Sequence, residues 1–519
     1  MSIFSRKGKR TTPARSIAVR GFAAAETDRM LANWRYDGGF TSQEISAHLG
    51  TIRARSRQMF KDSPHYRKFI NSCAVNIVGT GFSLKSKPFD GEIWEQRLDE
   101  RAARIIEYHW RRFCTQRDPE TKLTFCDAAG RMTMPQMDRH NAKKWARDGE
   151  YFMLPQVADN EYGITFKRVS ADACNHLYNV ARLQNGNVVH CGVERDPGTL
   201  RAVAYYFSTT PRFATISVMG RPLLRIPASR VIHGFTEEDS EQPRGVPWAH
   251  ATLVKLKMLD EYDKAELTAA RDEACSVRTY FAPKGEEDQI ADLTTDENKE
   301  AANALIMEKE PGQAEILPMG WKQEIHTPQH PNRELTNFKS SMQRDVASGF
   351  EVEYAGAFND WARVSFSSVR QGVMSERDVW MIKQDDMIAQ NKSLAFLMWL
   401  ESFLALRVSG DLPQAKFTKF AEHLFRGRRW GWIDPLKDMT AAVIATEKGW
   451  KTDTQVTEDL GGDFDDNIAG IKREDKAKEG TRLEKSEEAN SGERHLAILG
   501  KVAEVERISH EQEQAQLTA

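Results

Sequence analysis

Apolar side chains recur at three- and four-residue steps along several long stretches of the chain, a period that places them on one face of a helix. Between Thr41 and Val78, Phe69, Cys73 and Ile77 keep this step; Ser42 is a candidate N-cap and Gly79-Thr80-Gly81 a stop before a strand. Trp94, Leu98, Ile105 and Tyr108 predict a helix from about Glu92 to Arg112, and another passes through Trp145 into Gly149. From Arg244-Gly245-Val246-Pro247 onward, Val254, Met258, Tyr262, Ala265 and Ala269 hold one face. Proline is tolerated at a first helical position, so this pattern predicts a helix of about 33 residues, roughly 50 Å long. Leu335, Phe338, Met342 and Val346 mark a further helix from Pro331-Asn332 to Gly349. Val369, Val373, Trp380 and Met387 mark the next, with Ser367 and Ser368 as candidate caps, and the apolar run through Phe396, Trp399, Leu400 and Phe403 reads as a core helix. Asp434-Pro435 is a cap followed by a first-turn proline.

Extended segments separate these helices. Glu150 to Val157, Ile164 to Val169, Asn187 to Glu194, Ala202 to Phe207 and Ile226 to Phe235 read as strands, with Asn185-Gly186 as a turn signal. His233, inside the last of these, fits a hydrogen-bonded structural histidine. Strands flanked by helices predict an α+β domain from about 31 to 245. Two stretches lack a helical period. The first, 282–331, opens with Glu286, Glu287, Asp288 and Asp292, and its pattern predicts a short alanine-rich helix near 298–307 and a strand at 314–317. In the second, Glu351 to Phe366, Gly356, Asn359 and Asp360 are turn residues set among Tyr354, Phe358, Trp361 and the cation Arg363, so it reads as a loop.

Charge sharpens this division more than composition does. The chain of 519 residues carries a formal charge of −2, which excludes a global basic field. Its charge is segregated: residues 1–20 hold six Lys/Arg and no acid, 283–331 hold four against eleven Asp/Glu, and 451–519 hold ten against seventeen. The basic N-terminus reads as a flexible tail, and the polar, aromatic-poor C-terminal region as largely disordered. Six cysteines without a C-x-x-C pair favour reduced, partly buried thiols, and no run is apolar and long enough to predict a membrane span. The expectation is a soluble protein of the cytoplasm.

The usual chemical signatures are missing. There is no G-x-S-x-G, H-E-x-x-H, phosphate loop or dinucleotide fingerprint, so no catalytic residue, metal or cofactor is assigned. His326 and His330 are separated by Pro328, which disrupts a shared helical face. Asp463, Asp465 and Asp466 lack the glycine and glutamate positions of a calcium loop. An enzymatic alternative, such as a metal-dependent nuclease, requires scattered acids such as Asp127, Asp138 and Asp148 to converge.

Pro331-Asn332, Val346-Ala347-Ser348-Gly349, Glu353-Tyr354 and Ser367-Ser368-Val369-Arg370 together resemble a run found in the portal proteins of tailed bacteriophages, in particular the lambda-like family. In that family Asn-Tyr often stands where this chain has Ser365-Phe366, and the Tyr-Glu pair is inverted here. Further similarity lies in Thr51 to Phe82, Ile226 to Phe235 and Gly431 to Val443, so the resemblance spans about 30 to 470.

The resemblance implies an α+β portal fold assembled as a ring of about twelve subunits at one capsid vertex. Between the basic tail (1–30) and the polar C-terminal region (451–519) read from composition, it implies a wing (31–245), stem helices (246–281 and 332–353), an acidic clip (282–331), a tunnel loop (354–366) and wing and crown helices (367–450). Arg363, Trp361 and Asn359 become candidates for contact with passing double-stranded DNA. Glu286, Glu287, Asp288 and Asp292 become candidates for docking the terminase large subunit or a head-completion adaptor. Val254, Met258 and Tyr262 are expected to pack on Phe338, Met342 and Val346. Scaffold and major capsid proteins are the other implied partners, and the virion, after assembly in the host cytoplasm, is the implied location. A different head-tail adaptor ring is the structural alternative.

Overall fold

The computed structural model describes residues 42–90, 97–208, 222–274, 278–281, 322–325, 335–362 and 364–479. In chain order its main helices are α1 (Ser42–Asp62), α2 (Pro64–Cys73), α3 (Glu100–Thr115), α4 (Met134–Asp148), α5 (Leu253–Ala274), α6 (Leu335–Gly349), α7 (Tyr354–Phe358), α8 (Phe366–Met387), α9 (Ser393–Ala405), α10 (Pro435–Glu447), α11 (Asp453–Asp459) and α12 (Phe464–Lys478). The chain divides into two compact units, both discontinuous. The first comprises 1–67, 144–155 and 167–330, and the second 68–143, 156–166 and 331–519.

In the first unit an antiparallel sheet is formed by Val188–His190, Val193–Arg195, Ala202–Ser208 and Leu223–Pro227, in that order. The stretch Ile226 to Phe235 is therefore not one strand: a turn at Ala228–Arg230 divides it, and Ile232–Phe235 instead pairs antiparallel with Glu150 to Met153. Phe152, Cys174, Val193, Tyr205, Phe207 and Val231 form one buried cluster, and Ile45, Leu49, Cys191 and Val246 another. Burial of such side chains stabilises the fold by about 1.5–3 kcal/mol each. Gly149 has φ +87°, and a Cβ there would lie 2.4 Å from the Val246 carbonyl carbon, so only glycine permits this approach of 149 to 245–246.

Helix α5 is shorter than its sequence pattern predicts. Residues 247–252 close as consecutive turns, with the His250 N–H donating to Pro247 O and the Thr252 N–H to Ala249 O, and the helix begins only at Leu253. Leu253, Leu256 and Leu259 are its buried side. Arg278–Phe281 pairs antiparallel with Lys322–Ile325, so the described ends of the intervening segment are joined by a two-stranded base.

The second unit is built around aromatic side chains. Trp110 and Phe113 of α3 meet Phe396 and Trp399 of α9, with Tyr162, Phe403 and Phe425 around them. Ser83–Ser86 pairs with His423–Arg426. Helices α8 and α9 form one continuous rod interrupted by a π-turn at Ile388–Lys392. This turn buries Asn391 and Lys392, whose side chains donate to the two carboxylate oxygens of Asp138 at 3.2 and 2.9 Å. A second π-turn, Ala74–Val78, precedes Gly79.

Candidate functional site

The segment between α6 and α8 reads as a loop in sequence, yet it contains α7. Glu353 explains the difference: its carboxylate accepts from the Gly356 N–H at 2.7 Å, capping a turn whose composition alone signals irregular backbone. Asn359 ends the helix in the left-handed region at φ +58°, a conformation that asparagine tolerates better than most residues. The Tyr354 hydroxyl donates to Asp360, and the Arg344 guanidinium lies 5.3 Å from the Tyr354 ring centroid. Burial first, and then the neighbouring Asp360, push the Tyr354 phenol above its ordinary pKa.

Two contacts from distant sequence hold this segment. Phe350 stacks on Phe69 with centroids 4.3 Å apart. The Lys68 ammonium donates to Gly356 O and to Asn359 Oδ1, and burial lowers its pKa. Glu376 of α8 completes the frame, accepting from the Glu353 N–H at 3.0 Å and from Trp380 Nε1 at 2.8 Å. The cap of α8 is Ser365, whose hydroxyl accepts from Ser368 N–H; Ser367 and Ser368, the expected caps, lie inside the helix.

Of the residues singled out in sequence, Trp361 is 52% exposed and Asn359 is the helix stop just described. Arg363 and the acids Glu286, Glu287, Asp288 and Asp292 lie outside the described residues. So do the basic tail, most of 282–331, the histidines at 326 and 330, and the region beyond 479. On α5, Val254 and Met258 are 56% and 63% exposed and Tyr262 is half-buried; on α6, Phe338 is 49% exposed, Met342 half-buried and Val346 buried. Lys68 carries no local signal in the sequence, because its partners lie 288 and 291 residues away.

The three acids of the enzymatic alternative have separate structural engagements. Asp127 accepts from the N–H groups of Ala129, Arg131 and Met132, Asp138 from Asn391 and Lys392, and Asp148 from Arg57 and Arg147. Asp463 caps α12 and pairs with Arg426 and Lys85. No group of three or more metal-ligating side chains occurs among the described residues.

A heavily charged interior site among the described residues also has a structural form. Glu150 is fully buried between Arg53 and Arg244, and His233 Nε2 lies 3.0 Å from its second oxygen. Burial raises the Glu150 pKa, but the two guanidinium charges and the His233 hydrogen bond outweigh it and hold the carboxyl well below its ordinary value. His233 stacks on Phe152 at 4.3 Å, and burial lowers its pKa, so the ring is neutral. Nothing in this closed cluster is presented to a substrate.

Comparison with known proteins supplies what the geometry does not. The family described as "Phage portal protein, lambda family" matches residues 27–384. A probable portal protein of Halomonas phage phiHAP-1 is 27% identical over 463 residues, covering 88% of this chain and 86% of its own. Portal protein B of Escherichia phage lambda is 23% identical over 473 residues, with 86% and 87% covered. Among solved structures, the neck of an empty gene transfer agent particle aligns with 80% of this chain and 93% of its own at 11% identity and a TM-score of 0.44, a level that adds nothing to the sequence match.

Proposed function

Because this chain belongs to the lambda family of phage portal proteins, we propose that about twelve copies close into a ring at one capsid vertex, through which double-stranded DNA enters and leaves the head. The family match over 27–384 is the observation that carries this reading. In it, 31–245 is the wing, 246–281 and 332–353 the stem, 282–331 the clip, 354–366 the tunnel loop and 367–450 the wing and crown. The paired strands Arg278–Phe281 and Lys322–Ile325 support the clip assignment, since they close the base of an insert between the stem segments. The exposed stripe of Val254 and Met258 supports a stem that is covered only on assembly.

Repetition around a ring turns the clip's excess of acids, eleven against four Lys/Arg, into a negative collar. Such a collar repels phosphates and lets a polyanion slide, whereas tight contacts would have to be broken at each step. Glu286, Glu287, Asp288 and Asp292 would serve either this purpose or docking of the terminase large subunit and, later, a head-completion protein. Scaffold and major capsid proteins would seat the ring in the virion. Arg363, beside Trp361 and Asn359, is the proposed DNA contact of the tunnel loop.

Light scattering and negative-stain imaging of the purified protein test the ring directly; about twelve subunits around a central hole are expected. A chain that stays monomeric with capsid and scaffold proteins present would overturn the reading. In assembled rings, Arg363→Ala should reduce DNA packaging or retention while leaving assembly unchanged. Loss of assembly would instead assign Arg363 to the subunit interface.

A further inference from the structure

The second unit contains a basic and aromatic surface that neither the tunnel-loop reading nor the family match accounts for. The strand His423–Arg426 runs into Gly427-Arg428-Arg429-Trp430, and Arg377 reaches the same place from α8. The guanidinium carbons of Arg377 and Arg428 lie 5.8 and 5.6 Å from the Trp430 ring centroid. All four side chains are half-buried.

What holds these arginines is neutral. Arg428 donates to Val75 O at 2.7 Å and to Asn76 Oδ1 at 3.0 Å, and Arg429 donates to Gln384 Oε1 at 3.4 Å. Gln384 in turn pins the backbone by donating to Asn76 O and Arg428 O. Arg377 Nε is buried with no hydrogen-bond partner. Nearby cations of the same unit are matched to acids: Arg426 to Glu458 and Asp463, Arg370 to Asp438, and Lys85 to Asp463. The neighbouring carboxylates are thus committed elsewhere. Asp438, whose charge reaches Arg377, is held by Arg370, and Glu376 is held by Trp380.

We propose that Arg377 and Arg428, which flank the Trp430 ring, together with Arg429, held by Gln384, form a preset surface for the phosphate backbone of double-stranded DNA, contacted without regard to sequence. The indole face positions the guanidinium groups of Arg377 and Arg428, and neutral acceptors hold Arg428 and Arg429 without cancelling their charge. Each planar fork then presents donors that match a phosphate oxygen pair. An acidic polypeptide is the less favoured partner, because the acids of α11 and the cap of α12 settle on Arg426 and bypass these three arginines. The proposal rests on the portal reading for the source of the duplex.

The test is binding of the full-length protein to a short random-sequence duplex by fluorescence anisotropy across a salt series, beside a polyglutamate probe. Arg377→Gln with Arg429→Gln should weaken duplex binding and flatten the log–log salt slope by about 2 for two lost phosphate contacts. Lysine at both positions should retain most of the slope. The triple variant with Arg428→Gln should lose more; because Arg428 also anchors the turn at Val75 and Asn76, the double variant is the decisive one. A folded double variant with unchanged affinity and slope overturns the proposal. So does loss of polyglutamate binding with duplex binding intact, or a wild-type protein that does not bind duplex at low salt. Light scattering on the same samples separates the two levels. Rings that bind duplex independently of these arginines refute the surface alone, whereas failure to form rings with capsid and scaffold proteins refutes the portal reading.

Discussion

At the scale of single residues, Glu150 and Lys68 hold long-range contacts that no local pattern reveals. Glu150 compensates two buried guanidinium groups, so Glu150→Gln leaves an uncompensated charge in the interior and should destabilise the fold by about 3–5 kcal/mol, read by chemical denaturation. The same cluster sets an acid limit. Glu150 is held below its ordinary 4.5, so its contribution is complete above that value and is lost as the pH falls toward the folded pKa. His233 is held below its ordinary 6.5, so the fold begins to lose stability as the pH drops through 6.5, where the unfolded chain takes up a proton that the folded chain refuses. Unfolding free energy should therefore be flat near neutrality and decline from about pH 6.5 downward; a rise between pH 7 and pH 5 would contradict this assignment. Lys68→Gln removes the charged tether of the segment after α6 and should accelerate amide exchange in 354–362 while sparing α9. Uniform acceleration would mean that Lys68 supports the unit as a whole.

At the scale of elements, helical periods located α6, α8 and α9, and Asp434-Pro435 marked the start of α10. What failed had physical causes. Pro247 was compatible with a helix start, but the i→i+3 turns through 252 satisfy the same backbone groups, and α5 begins later. The sequence points to Ser367 and Ser368 as caps of α8, but a chemically equivalent serine two positions earlier, Ser365, takes that place in the fold. The π-turn at Ile388–Lys392 has no sequence signature, although it is what directs Lys392 into the interior. Burial lowers the Lys392 pKa, but the Asp138 charge outweighs it and keeps the ammonium protonated. Asp138→Asn should cost about 3–5 kcal/mol for that reason. For the stem, Met342→Asp should prevent soluble rings; rings of normal mass would show that this face of α6 stays in solvent.

At the scale of the whole molecule, family membership is legible from the order of short motifs, while the long-range pairs that make each unit compact are not. Composition shifts suggest contiguous domains, but compactness joins 68–143 with segments beyond 331, and 1–67 with segments as far as 330. Such groupings depend on long-range pairs such as Arg53 with Glu150 or Lys68 with Asn359, whose members are ordinary surface residue types when read locally.

The pairing of Ser83–Ser86 with His423–Arg426 has a consequence for how the protein is made. About 340 residues of synthesis separate the two strands, which at 5–20 residues per second is roughly 17–70 s during which the first strand leaves the ribosome without its mate. An early strand waiting that long is a template for the wrong neighbour, including the same strand of another nascent chain on the polysome. Nascent chains should therefore depend on chaperone protection until translation passes residue 426, and products arrested just before 423 should aggregate where those arrested beyond 479 do not.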